Sequence, residues 1–263
     1  MGIVNLTPDS FSNDGVGCDV ERAVAHARVQ FEAGADILDI GAESTRPGAI
    51  PTPEKEELRR LLPVLEKISA WGVPVSVDTY KPVVMRAAID AGASMINDIN
   101  GLRSLDAVAA VRNSDCGICL MHMQGTPGTM QVGPEYKSVV EEVRDFLSSQ
   151  VELCKANGIQ SERLVIDPGF GFGKNHEHNL ALMRSLTAIS PQGVPLLVGI
   201  SRKSILGVIT GRSVESRKAA SISAALILAQ KGAKILRVHD VAMRLERCFW
   251  IASKCPPESV QLY

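Results

Sequence analysis

The sequence predicts an α/β fold of the (β/α)8 TIM-barrel type in a single domain, and three observations carry that expectation. First, eight short apolar runs each stop at polar residues. They are GIVN at Asn5, ILDI at Gly41 and Glu43, VSVD at Asp78, MIND at Asn97 and Asp98, ICLMH at His122, LVID at Asp167, LLVGIS at Ser201, and ILRVHD at Arg237, His239 and Asp240. Second, most runs are followed by a segment of helical period and then by the next run, the pattern of parallel strands joined by crossover helices. Third, the chain has 263 residues, and a barrel of this kind takes about 250. Eight units close such a barrel, and its polar strand ends converge on the face where enzymes of this architecture carry their chemistry.

Strands are expected at 2–5, 36–40, 74–78, 94–98, 117–122, 164–167, 195–200 and 234–239. The helix expected at 53–70 opens with Pro53 and Glu54, where a missing N–H costs nothing and negative charge is favoured. Gly34, Gly72, Gly92, Gly158 and Gly232 each follow a helical stretch, as left-handed stops do, and several lead straight into a strand. The long aperiodic stretches 6–18, 42–53, 123–134 and 168–178 all follow strand ends. That placement makes them lids and binding loops rather than linkers. With no charge block or low-complexity tract, the barrel domain is expected over 1–263, with a frayed C-terminal tail at 254–263.

A net charge of −1 gives no electrostatic case for nucleic acid or an anionic membrane. Cys18, Cys116, Cys119, Cys154, Cys248 and Cys255 form no disulfide-like framework, which fits a reducing cytosol and a cytoplasmic protein. No apolar run approaches the roughly 18 residues of a membrane span. Asn5 and Asp9 come too early for a signal peptide.

The strand ends supply two chemical groups. Asp78, Asn97 and Asp167 finish apolar strands, so at a barrel mouth they are partly buried. An unpaired buried carboxylate is costly and must meet a cation, backbone donors or a ligand. A heterocycle with an amide N–H beside an exocyclic amine suits it, through charge-assisted bonds of about 1.5–3 kcal/mol each. The plainer reading of each Asp is a helix cap or a loop ion pair. The second group is cationic: Arg46 in S-T-R-P-G, Ser201-Arg202-Lys203-Ser204, and Arg237 with His239. Residues two apart on a strand share a face, so Arg237 and His239 suit a phosphate beside the short helix start that precedes them. The alternative is that Arg237 pairs with Asp240 or a neighbouring carboxylate.

Other motifs lead elsewhere. Cys116 and Cys119 have redox spacing, but on a strand they face opposite sides, so core or surface cysteines are expected. In Gly169-Phe-Gly-Phe-Gly-Lys174, Pro168 and Asn175 occupy positions a phosphate loop needs for Gly and Ser/Thr. Its glycines are expected to let backbone pass close to a flat ligand, with Phe170 or Phe172 as a wall. His176 and His178 read as polar residues at a loop-to-helix join. No Ser–His–acid triad or closed metal cage is evident.

The strings carrying these groups resemble the dihydropteroate synthase family. They are Gly2-Ile-Val-Asn-Leu-Thr-Pro-Asp-Ser-Phe-Ser12, Glu43-Ser-Thr-Arg-Pro-Gly48, Val77-Asp-Thr79, Asn97-Asp-Ile-Asn-Gly101, Met121-His-Met-Gln-Gly125, Asp167-Pro-Gly-Phe-Gly-Phe-Gly-Lys174, Ser201-Arg-Lys-Ser204 and Arg237-Val-His-Asp240. The resemblance runs in order from residue 2 to about 245. It implies a cytoplasmic, commonly homodimeric transferase of folate biosynthesis and a sulfonamide target. That enzyme joins 6-hydroxymethyl-7,8-dihydropterin diphosphate to p-aminobenzoate, giving 7,8-dihydropteroate and pyrophosphate. It further implies that Asp78, Asn97, Met121, Asp167 and Lys203 hold the pterin. Asn5, Thr45, Arg46, Arg237 and His239 would hold the diphosphate, with Asn5 on Mg²⁺. Phe11, Pro47, Phe172 and Ser201 would border the aminobenzoate. Asp167, Lys203, Arg237 and His239 carry the catalytic expectation: a dissociative departure of diphosphate, then attack by a neutral arylamine that needs no strong base.

The family's usual Phe-Ser-Asp-Gly-Gly is here Phe11-Ser-Asn13-Asp14-Gly15, Gly128 replaces a basic residue, and Ala42 replaces a glycine. The first strand starts at Met1, whereas most members carry residues ahead of it. Two relatives of different function share parts of the pattern. One is a pterin-binding methyltransferase domain that passes a folate methyl to a corrinoid, and needs neither an arylamine nor a diphosphate pocket. The other is a non-catalytic pterin binder.

Overall fold

The computed structural model describes residues 1–7, 19–190 and 193–243. Phe11, Asn13 and the tail expected at 254–263 lie outside them. Eight strands form one sheet in chain order: β1 Gly2–Asn5, β2 Leu38–Gly41, β3 Val75–Asp78, β4 Met95–Asp98, β5 Gly117–Met121, β6 Leu164–Asp167, β7 Leu196–Val198 and β8 Ala233–Leu236. Every neighbouring pair is parallel. The first and last strands then meet. Ile3 N–H donates to the Val238 carbonyl at 2.9 Å, and Val238 N–H to the Met1 carbonyl at 3.0 Å. This seam closes the barrel.

The last two strands are shorter than expected. The register between β7 and β8 slips at Leu196/Leu197, and Arg237 N–H to the Val198 carbonyl (2.9 Å) ends that edge. Arg237 and His239 therefore stand just past β8 instead of within it.

The helices are α1 Val20–Glu32, α2 Glu54–Ser69, α3 Pro82–Asp90, α4 Leu105–Val111, α5 Val139–Ala156, α6 His176–Arg184, α7 Ser204–Thr210 and α8 Lys218–Gln230, the last two both between β7 and β8. Pro53 caps α2 from outside, one residue ahead of the expected first-turn position. The left-handed stops occur where expected, Gly34 at φ 94° and Gly232 at φ 100° among them. On α5 the buried residues Val139, Val143, Leu147 and Val151 recur every fourth position, one stripe laid on the sheet. Each such side chain contributes about 1.5–3 kcal/mol on burial.

Alternation along the strands sorts the interior. Leu38 and Ile40, Val75 and Val77 face the helices within the main core. Met1, Met95, Cys119 and Leu197, with Ile37, Val165 and Ile235, plug the barrel. Two residues beyond Met95, Cys119, Val165 and Ile235 stand Asn97, Met121, Asp167 and Arg237. Period two thus delivers these four, with Asp39 and Asp78, to the layer above the plug. Cys116 and Cys119 are buried and free, as core cysteines.

Candidate active site

At the centre of this layer Arg237 spans two carboxylates. Its Nε donates to Asp39 Oδ2 at 2.6 Å and its Nη2 to Asp78 Oδ2 at 2.8 Å. Asp240 is occupied elsewhere, by a two-pronged pair with Arg202 at 2.9 and 2.6 Å. The alternative pairing for Arg237 therefore holds in this structure, with β2 and β3 supplying the acids. Burial alone would lower the Arg237 pKa; Asp39 and Asp78 overcome it and hold the guanidinium above its ordinary value. Burial pushes Asp78 up to about 7 even against the Arg237 charge.

Asn97 pairs with Asp78 in register, and its Oδ1 is buried without a hydrogen-bond partner. Asp39 Oδ1 is in the same state. An unsatisfied buried acceptor costs about 1–3 kcal/mol, so Asn97, in the buried layer adjoining the cavity, marks a place for a ligand donor. Asp98, one residue on, faces away and is structural. It accepts the Asn100 and Leu102 N–H groups, both at 2.7 Å, and shapes the turn after β4. That is the capping role weighed for strand-end acids.

Asp167, on β6, accepts the Gly169 N–H at 2.7 Å. Burial raises its pKa, opposed first by the Lys203 charge. Lys203 Nζ donates to the Phe170 carbonyl and lies 4.6 Å above the Phe172 ring. Burial brings this lysine down to about 8, with Asp167 pulling the other way. Arg202 occupies the left-handed region at φ 57° and turns out to Asp240. The residues flanking it, Ser201 and Lys203, are thereby turned to the cavity. Ser201 Oγ also accepts the His239 N–H at 3.3 Å and lies 3.1 Å from His239 Nδ1.

The glycine reading of the loop after β6 is corrected for two of its three glycines, while Gly171 borders the cavity as expected. Gly169 and Gly173 take positive φ (69° and 61°) and pack on backbone of the loop after β5. A Cβ at Gly169 would stand 1.9 Å from the His122 carbonyl, and one at Gly173 2.4 Å from that of Gln124. Phe170 is fully buried in the core, and Phe172 is the wall. His178 reciprocates the Asn175 cap of α6. It has the join role expected of it.

Above the layer lies a cavity of about 330 Å³. Of the residues expected at the site, Asn5, Thr45, Arg46, Pro47, Asp78, Phe172, Ser201, Lys203, Arg237 and His239 border it. Asn97, Met121 and Asp167 do not; they sit in the adjoining buried layer, where Asp167 pairs in register with Met121. Met121 packs with Ile99, Met123 and Met130, against Tyr80 and Phe172. Lys81 ties the loop after β2 down through Glu43 and Glu57.

Sequence reasoning missed Asp39, Met130 and Gln131. An acid in the middle of the apolar run ILDI was a legible sign for Asp39. Met130 and Gln131 had no sign beyond the length of their loop. Among the described residues no group of three His, Cys, Asp or Glu could hold a metal ion. The donor set at the cavity offers the neutral oxygen of Asn5, which suits Mg²⁺ arriving with phosphate oxygens and water as its other ligands.

The profile of the family described as "Pterin binding enzyme" matches residues 1–239. A barrel with this charged layer at its mouth belongs to that class. The dihydropteroate synthase of Neisseria meningitidis serogroup C is 49% identical over 246 residues, covering 92% of this chain and 87% of its own. A Xanthomonas albilineans dihydropteroate synthase structure with 4-aminobenzoic acid superposes with a TM-score of 0.89 at 50% identity, covering 98% and 93% of the two chains. The Burkholderia cenocepacia enzyme complexed with 7,8-dihydropteroate gives 0.87 at 46%, covering 96% and 89%. The chain belongs to the dihydropteroate synthase family.

Proposed function

We propose that this cavity joins 6-hydroxymethyl-7,8-dihydropterin diphosphate to p-aminobenzoate, releasing pyrophosphate and 7,8-dihydropteroate. The observation that carries the reading is the layer of Asp78, Asn97 and Asp167 next to an open cavity whose rim is cationic. The unpartnered Asn97 oxygen and the two acids present acceptors to the donor edge of a pterin, while Met121 packs against the ring and Lys203 meets its polar side. Arg237 and His239, with Asn5, Thr45 and Arg46, take the diphosphate. Phe172, Ser201 and Pro47 border the arylamine, and the family resemblance adds Phe11.

The pairing of Arg237 suggests how the parts act together. When the pterin's donors occupy Asp78, the Nη2 of Arg237 is released toward the diphosphate while Asp39 still holds Nε. As the methylene C–O bond breaks, its electron pair goes to the diphosphate, and Arg237 and His239 stabilise that charge. The methylene becomes cationic and the ring spreads this charge toward Asp167. The neutral arylamine nitrogen then bonds to the methylene and loses its extra proton to water. Mg²⁺, when bound, would neutralise the departing diphosphate.

Sulfonamides, as arylamine mimics, are expected to compete with p-aminobenzoate. We also propose a homodimer formed through the late helices. Val208, Ile209 and Ile227 on α7 and α8 are 57, 55 and 45% exposed, and sedimentation would test the pairing. The deciding experiment is pyrophosphate release with dihydropterin diphosphate, Mg²⁺ and p-aminobenzoate, each omitted in turn. Release that needs all three, with dihydropteroate appearing in step, supports the synthase. Tight pterin binding without release would reject it for a non-catalytic binder.

A further inference from the structure

The loop after β6 is ordered by side chains. Each carbonyl from Gly169 to Gly173 accepts a side-chain donor: Lys174 Nζ at Gly169 (3.0 Å) and Phe172 (2.9 Å), Lys203 Nζ at Phe170, Gln131 Nε2 at Gly171 (2.6 Å), and Tyr136 Oη at Gly173 (2.7 Å). Lys174 carries two of the five. It is 2% exposed and does not border the cavity. Its remaining proton goes to His122 Nδ1 at 2.9 Å, with the His122 carbonyl farther off at 3.3 Å.

A buried ammonium costs several kcal/mol unless its protons are satisfied, and burial pushes the Lys174 pKa well down. Three acceptors satisfy this one, and burial keeps the facing His122 neutral by lowering it to about 2. Lys174 could hold the loop for stability alone, but the two carbonyls it grips lead to the site. Phe172 presents its ring to the cavity. Gly169 gives its N–H to Asp167. We infer that Lys174 is a positioning residue, which sets the Phe172 ring as a wall of the arylamine subsite and, through Gly169, the aim of Asp167. This rests on the function proposed above.

The test is a double-mutant cycle of Lys174→Met, which keeps the apolar stem, with Phe172→Ala. Misplacement of a site group by about 1 Å can cost 10²-fold, so Lys174→Met is expected to raise the KM for p-aminobenzoate at least ~10-fold. In the Phe172→Ala background the same change should add less than ~3-fold, as expected of coupled neighbours. An unchanged KM in the single variant, or equal fold-losses in both backgrounds, would overturn the inference. Should Lys174→Met not fold, His122→Leu removes one acceptor of Lys174 and leaves the loop's own residues unchanged. It should show the same selective KM rise, and no rise would overturn the inference equally. A wild type without turnover removes the subsite itself. It is thereby told apart from an active wild type whose KM does not respond.

Discussion

Arg237 makes two bonds of unequal character. Asp39 is fully buried and stays behind the guanidinium, whereas Asp78 borders the cavity and is within reach of a ligand. Arg237→Ala therefore strands two acids, and breaking such a buried pair costs about 3–5 kcal/mol. Beyond that loss, affinity for the diphosphate substrate should fall far more than affinity for a pterin lacking phosphates. Calorimetry with both ligands distinguishes the roles, since equal losses would leave Arg237 structural. Asp167→Asn should weaken pterin binding by about 10²–10⁴-fold, as one partner of a matched donor edge is lost; unchanged affinity would remove Asp167 from the ring. Residues at strand ends were legible in the sequence because an apolar run that stops at a polar group is a local signal. Asp39 carried its own sign as an acid inside an apolar run, but its role was not legible because its partner lies 198 residues away.

The paired loops after β5 and β6 were legible as loops but not as a unit. Their glycines have a sequence signature that allows close approach to ligand or to backbone, and the choice between them is tertiary. His122 shows the consequence for stability. Its folded pKa, about 2, lies below its ordinary 6.5. Below pH 6.5 the unfolded chain takes a proton that the folded chain refuses, so stability present above that pH is lost as pH falls. Asp78, raised from 3.8 to about 7, works in the opposite direction over the same range, because the folded state binds the proton. A comparison of wild type with His122→Asn isolates the histidine. Between pH 7.5 and 5.5 the wild type should lose about 1.4 kcal/mol more than the variant in urea unfolding. Parallel losses would show that His122 is protonated in the fold.

At the scale of the molecule, the eight-unit rhythm was readable because the strand and helix periods differ and alternate. The strand lengths at β7 and β8 were not, since the register slip at Leu196/Leu197 is decided by pairing across the sheet. The seam rests on few bonds, and Val238→Pro deletes its N–H to Met1. We expect a loss of about 3 kcal/mol or more, as for proline placed inside a hydrogen-bonded ladder, seen as a lower thermal midpoint. An unshifted midpoint would mean that the barrel does not depend on this joint. The seam also has a history in time. On the ribosome β1 emerges before the other seven strands, and the strand that covers its open edge is the last of the eight. Domains form as units during synthesis, and unpaired strand edges invite the wrong neighbours while they wait. Any sheet that forms before residue 238 is available therefore has a bare margin, and only the pairing of Gly2 with Val238 covers it.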